Sequence, residues 1–416
     1  MTDAQDRRVV ALVSGSHFVN HAYIVMVAPL VTVLAARFDV SIAAIGLAIG
    51  VQNVVILALQ LPMGYVSDAY SRTLVLGISL VVGTAGAALT ALSTSYAWLL
   101  VAQVILGIGV AGHHPAHYPL LAAVSSAENR GRAYSTHAFG GAVGLAAPFA
   151  AVAATTALGL SWRVALGVVT VLGGAYTAYC LLSFRSIDDD VTKPGLAERP
   201  DERPTVASVP GRMRALFRTL TASPGILGLT LLAFLTSTAA WTIRTYTPNL
   251  LAAGYGLPDG TASALTSAML VVGAGLILLG GTLTDRAGAG PVVIVGYALL
   301  TVVAALLSTL VLPTLALGVV LLFSGSISLS RPARSTLADL LSARADLGKN
   351  FALVTIGISL GGAIAPPLFG YLIETAGLAR SFGAVAALGA LSLALGWWIV
   401  RDAAFDISST PMPSDD

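Results

Sequence analysis

Residues 64–72 read GYVSDAYSR and residues 281–290 read GTLTDRAGAG, and in each a glycine stands four residues before an aspartate. Sliding the chain so that Gly64 lies on Gly281 and Asp68 on Asp285 also places Pro115 on Pro332, Ala116 on Ala333 and Leu120 on Leu337. The same shift, without a gap, lays Gly131 on Gly348, Gly140 on Gly357 and Gly144 on Gly361. Apolar segments share letters by chance, but coincidences at Asp, Pro and Gly in the same loops and helices of each half point to one unit used twice. Repeated halves of this length are the sequence sign of a secondary transporter, in which two bundles rock about a site at the membrane midplane.

What lies between these loops sets the fold class. The chain of 416 residues is 56% hydrophobic and 10% charged, against about a quarter charged in soluble domains. No Asp, Glu, Lys or Arg occurs in 73–127 or in 287–330, and each run holds two membrane spans of about 20 residues. The same reading of the remainder predicts twelve spans, near 9–36, 42–67, 74–93, 96–124, 134–157, 162–184, 224–253, 261–284, 291–311, 313–342, 350–375 and 379–401. The expected architecture is therefore an all-α integral membrane protein of two pseudo-symmetric six-helix bundles, residues 1–184 and 223–416. Residues 185–222, rich in proline and in both signs of charge, read as a cytoplasmic linker.

Lysine and arginine mark the cytoplasmic side of a membrane protein. With both termini placed there, only Arg37, Arg163 and Arg380 fall in outer loops, and Arg244, Arg331 and Arg334 fall within spans. The expected location is the cytoplasmic membrane, crossed many times. The first span is expected to stay, because the start lacks the compact apolar core and small-residue cleavage site of a secretory signal. The one cysteine, Cys180, excludes an internal disulfide and a cysteine-based metal cage.

The paired loops resemble the signature loop of the major facilitator superfamily, as does ENRGR at 128–132. The resemblance implies a gating role for Gly64, Asp68, Gly281, Asp285 and Arg286, with the glycines allowing close helix approach and Arg72 and Arg132 as partners of Asp68. SHFVNHAY (16–23) and GIGVAGHHPAH (107–117) narrow the resemblance to the fosmidomycin-resistance exporter branch. That branch implies outward movement in exchange for protons. The sequence departs from the pattern at Ala69, Ser71, His21, Ala116 and Gln103.

All six histidines lie in the first half. His17 and His21 are four apart, as are His113 and His117, so each pair shares one helical face, whereas His114 points about 100° away. HHPAH suggests a metal box, yet a membrane di-iron enzyme needs roughly eight imidazoles from several boxes, and a divalent ion carried on four histidines lacks a predicted midplane carboxylate. The repeat is more informative: HHPAH lies on SRPAR, with Arg331 opposite His114 and Arg334 opposite His117. Arginine neither ligates metals nor loses its proton.

A buried arginine needs a hydrated cavity or a counter-charge, and the expected counter-charge is the substrate, a small organic anion or an amphipathic drug-like compound. Arg331, Arg334, Arg244, His114, His117, His113, Asn20, Asn53 and Trp241 are the expected substrate-binding residues. His21, His17 and His114 are the expected proton carriers, because imidazole titrates near neutral pH. Tyr23, Gln52 and Tyr118 are weaker pocket candidates, and His137 reads as structural. The expectation is thus a proton-coupled efflux carrier with a small-molecule substrate, protons and the lipid bilayer as partners. Proton-coupled uptake of an organic acid and divalent-metal transport stand as alternatives. No enzyme activity, cofactor, bound metal or nucleic-acid partner is expected, and the carrier is expected to act as a monomer.

Overall fold

Inside lipid every backbone N–H and C=O has to be satisfied within the protein, which leaves helices or closed barrels. The computed structural model describes residues 3–126, 129–195, 223–341 and 347–409, with 211, 214 and 218 between them, and the described residues contain helices and no strand. The first half supplies α1 (Ala4–Phe38), α2 (Ile42–Ala69), α3 (Arg72–Ala91), α4 (Tyr96–Ala123), α5 (Arg130–Ala157) and α6 (Trp162–Phe184). The second supplies α7 (Pro224–Gly254), α8 (Asp259–Ala287), α9 (Ala289–Ser308) and α10 (Thr314–Leu340). The last stretch, Leu347–Ser409, passes through Gly377 at φ 84° and ψ 166°. Only glycine adopts that conformation without steric cost, so the stretch is two helices, α11 (347–376) and α12 (378–409).

Local sequence explains where helices start. Ser41, Ser71, Ser95 and Ser223 cap α2, α3, α4 and α7, each side-chain oxygen accepting an N–H of the first turn. The repeat is visible in the turns: Asp39 and Gly256, which coincide when Gly64 is laid on Gly281, are both left-handed, at φ 53° and 72°. Leucine and valine side chains such as Val171, Leu172 and Leu315 remain exposed on the outer surface, as expected of helices facing lipid tails.

Several helices are interrupted midway. In α4 the break falls at Gly112, between Tyr96–Ala111 and His113–Ala123; in α10 a 3-10 turn, Ser324–Ser328, precedes Ser330–Leu340. Pro115 and Pro332 sit in the first turns of the resumed segments, where the missing N–H costs little. The histidine box and its arginine counterpart therefore occupy equivalent first turns of two broken helices.

The expected linker 185–222 lies largely outside the described residues, and so does Glu128. Its described beginning is more ordered than its composition suggests. A one-turn helix, Asp189–Thr192, docks Val191 and Thr192 into the first half, where Val191 O accepts from Arg72 Nη1 at 3.1 Å and Thr192 O from Ser71 Oγ at 3.4 Å.

The halves meet along α2 with α11 and α5 with α8. Gly46 and Gly50 of α2 lie directly on the carbonyls of Pro366 and Ala363, with no room for a side chain. Ser267 Oγ of α8 donates to Ala146 O of α5 at 3.1 Å. These contacts seal one end of the molecule.

Candidate functional site

Between the halves is a cavity of about 1160 Å³, lined by α1, α2, α4 and α5 on one side and α7 to α11 on the other. Its wall runs from His21, Asn53 and Trp241 to Gln60, Gly64, Tyr65 and Asp68 at the end of α2 and to Ser335 and Ala338 near the end of α10. It therefore opens at the end that carries the amino terminus, since Gln5 and Arg8 hydrogen-bond Asp188 and Ser186 there.

Three guanidiniums share the chamber. Arg331 and Arg334 stand one turn apart on α10, and Arg244 faces them from α7, its Cζ 5.0 Å from the centroid of the Trp241 ring. Arg334 Nη1 donates to Thr236 Oγ1 at 2.8 Å. Arg331 is exposed to the cavity. None of the three forms an ion pair among the described residues, including with Asp339, and the sole acid on the cavity wall is Asp68, at the mouth. A wet, cationic chamber without an internal counter-charge favours a negative occupant.

On the first-half side, α1, α4 and α5 bring all six histidines into one cluster. His17 Nε2 is 2.9 Å from His21 Nε2. His17 Nδ1 is 2.9 Å from His137 O, and His21 Nδ1 is 2.9 Å from Gly141 O. On α4, His113 Nδ1 and His117 Nδ1 are 2.8 Å apart, and His113 Nε2 is 3.0 Å from Ser16 Oγ. Gly141 makes this packing achievable, because a Cβ there would overlap the His17 ring. The nitrogens of His17, His21 and His114 lie within 4.8 Å of one another, a spacing that also suits a metal ion.

Helical geometry sorts the expected site residues. Arg331, Arg334, Arg244, His114, Asn53 and Trp241 line the cavity, as do His21 and Tyr118. His113, His117 and Asn20, expected to contact substrate, are instead buried behind the wall, at 0%, 0% and 3% exposure. The reason is the one-residue offset: His114 faces the chamber, while His113 and His117 turn toward Ser16 and α5. His17 is also behind the wall, in contact with His21. Tyr23 and Gln103 are structural, bonding Thr84 and Thr90.

Three features escape sequence reading. His137, expected to be structural, stacks on His17 with centroids 4.0 Å apart and lies 4.0 Å from His117, joining the two histidine pairs. Ser16 anchors His113 from α1. Gly362 of α11 fits between Asn53 and Trp241, where a Cβ would meet Oδ1 of one and Nε1 of the other. The paired signature glycines behave differently from the family-derived expectation. A Cβ at Gly64 would meet only Pro115, at 3.7 Å, and one at Gly281 would meet nothing within 4 Å. The close approach in this region is made by Gly280, on the carbonyl of Leu329. With the cavity open at this end, the signature loops are too far from opposing helices to need glycine. Asp285, Arg286 and Arg132 are exposed here, and Asp68 lies at the cavity mouth.

Comparison with known proteins agrees with this architecture. The model of the Major Facilitator Superfamily matches residues 13–338 and 229–412. Among solved structures, a bacterial homologue of the human lysosomal transporter Spinster, inward-facing and unoccupied, has a TM-score of 0.77 at 16% identity, covering 98% of this chain and 99% of its own. The nucleoside transporter NupG has a TM-score of 0.72 at 12% identity, covering 94% and 99%. At these identities the likeness is one of fold. No curated protein matches the chain. These matches reach the superfamily and not the exporter branch within it.

Proposed function

The chain belongs to the major facilitator superfamily, and from that premise we propose that it carries a small organic anion across the cytoplasmic membrane by alternating access, with protons as the coupling ion. The observation that carries this reading is the set of three cavity guanidiniums, Arg331, Arg334 and Arg244, without a carboxylate of the protein beside them. A carboxylate or phosphonate supplies the missing charge and matches the planar forks of arginine in geometry. Trp241, Tyr118 and the apolar wall suit an organic body attached to that head.

His114 and His21 share the chamber with the arginines, and protonated imidazole adds to the field that holds an anion. The sealed and open ends provide the two accesses, and the α2–α11 crossing, lined by Gly46 and Gly50, and the α5–α8 crossing are where the halves move on one another. The resemblance to the exporter branch supports outward movement. In proteoliposomes, this reading predicts flux of benzoate or methylphosphonate that changes with an imposed proton gradient and loses that dependence when the gradient is dissipated. Flux of choline or of zinc ions, with none of either anion, contradicts it.

A further inference from the structure

The hydrogen bonds of the histidine cluster determine where its protons are. The partners of His17 Nδ1 and His21 Nδ1 are backbone carbonyls, which only accept, so both Nδ1 atoms carry hydrogen and donate. In a neutral imidazole the other nitrogen is then bare. The two bare Nε2 atoms nevertheless face each other at 2.9 Å, a distance characteristic of an N–H···N hydrogen bond. Two opposed lone pairs repel at that separation, whereas one added proton turns the contact into a bond.

The Ser16–His113–His117 chain is proton-complete without such an addition. Ser16 Oγ–H donates to Val13 O at 2.9 Å, so Ser16 Oγ accepts from His113 Nε2–H. His113 Nδ1 is thereby bare and accepts from His117 Nδ1–H. That chain balances with neutral rings; the His17–His21 pair does not.

We propose that His17 and His21 share a single proton between their Nε2 atoms, and that this proton is bound together with the transported anion, so that both cross in the same direction. The second clause rests on the anion reading above. Around the pair stand His113, His114 and His117 of α4, His137 of α5 and Arg331 of α10, which is within electrostatic reach of His17, His21 and His114. All of these are neutral or cationic, and no carboxylate faces the pair among the described residues. The positive charge is therefore offset by the ligand, so anion and proton strengthen one another's binding by the same factor. Exchange requires competition between the two; mutual reinforcement gives cotransport. Outward movement remains compatible with this, driven by the anion's own gradient.

A metal ion is the competing occupant, since His114 completes a three-imidazole set. The spacing favours the proton. Two imidazole nitrogens on one tetrahedral zinc, each about 2.0–2.1 Å from the metal, stand roughly 3.3 Å apart. The observed pair is closer than that, the set as a whole is spread wider, and Arg331 opposes a divalent charge.

The test is calorimetric titration of the full-length protein in detergent with methylphosphonate, between about pH 5 and pH 9, in buffers of differing ionisation heat. Wild type is expected to take up protons as the anion binds, approaching about one per anion toward the alkaline end, and His17→Gln and His21→Gln are expected to take up almost none. Uptake that is absent from wild type, or unchanged in both variants, overturns the proposal. So does a stoichiometric transition metal in the wild-type protein that His21→Gln loses. If methylphosphonate and benzoate do not bind at all, the anion reading fails, and histidine-selective 15N NMR of the ligand-free protein decides the pair separately. A proton shared across an N–H···N bond, lost in His21→Gln, supports the first clause; two bare Nε2 atoms without that bond overturn it.

Discussion

Glu374 Oε1 accepts the backbone N–H of Ile42 at 2.5 Å, so a carboxylate on α11 of one half caps the first turn of α2 of the other. Ser41 satisfies the N–H of Ala44 in the same turn, and together they anchor the sealed end. A negative group at a helix amino terminus stabilises by about 0.3–1 kcal/mol, which corresponds to a roughly two- to fivefold change in an equilibrium. Glu374→Gln is accordingly expected to raise the fraction of molecules open at this end by that factor. Because Cys180 is buried, thiol labelling of Asn53→Cys with a membrane-impermeant reagent from the sealed side reads the change against a low background. Labelling equal with and without Glu374 removes the latch.

Gly141 is predicted to be intolerant of any side chain. Gly141→Ala forces a methyl against the His17 ring and displaces the carbonyl that orients His21, an overpacking cost of about 1–3 kcal/mol. The thermal midpoint in detergent should fall clearly. Gly281→Ala, placed where a Cβ meets nothing within 4 Å, should leave it unchanged. Equal midpoints for the two variants contradict the packing described for α1 and α5.

His114 is on the chamber wall, beside Arg331 in charge range, and its ring gains a proton as pH falls. Protonation adds positive charge next to the anion, so this ring's contribution to transport is expected to be present at low pH and to be lost as pH rises. His114→Gln keeps a hydrogen-bonding group of similar size but does not titrate, so the pH profile of flux should become shallower while keeping the part set by the His17–His21 pair. A profile that stays as steep as wild type assigns the titration to another group.

Much of the fold was legible because lipid imposes it. Expected spans 96–124 and 162–184 meet α4 (Tyr96–Ala123) and α6 (Trp162–Phe184), since apolar length and serine or glycine punctuation leave few other boundaries. The start of α1 was less legible: its polar first turns look like a tail, yet they continue the helix past the apolar region, where Gln5 and Arg8 dock on Asp188 and Ser186. Hydropathy carries no information about such docking.

The site was legible where periodicity applies. Four-residue spacing placed His17 with His21 and His113 with His117, and the repeat placed Arg331 and Arg334 opposite the histidines. Periodicity within one helix does not say which face meets the cavity, and for this reason His113 and His117 were expected at the substrate and are found behind the wall. His137 was illegible because its partners are on other helices. Its one available signal was Gly140-Gly141 in the following turn, the smooth surface on which α1 lies.

Arg331 is the residue on which the selectivity account depends most. Arg331→Lys keeps the charge and loses the planar fork, so it should retain weak flux, whereas Arg331→Ala should retain none, both with unchanged size-exclusion profiles. Full flux in the alanine variant contradicts a substrate role.

The most direct measurement of the central claim is equilibrium binding of benzoate and methylphosphonate to purified protein, compared between wild type and Arg331→Ala. Loss of a charge-assisted contact of about 1.5–3 kcal/mol predicts affinity roughly 10- to 150-fold weaker in the variant, with choline bound by neither protein. Anion affinity that is unaffected by Arg331→Ala, or binding of choline in place of both anions, would contradict the account.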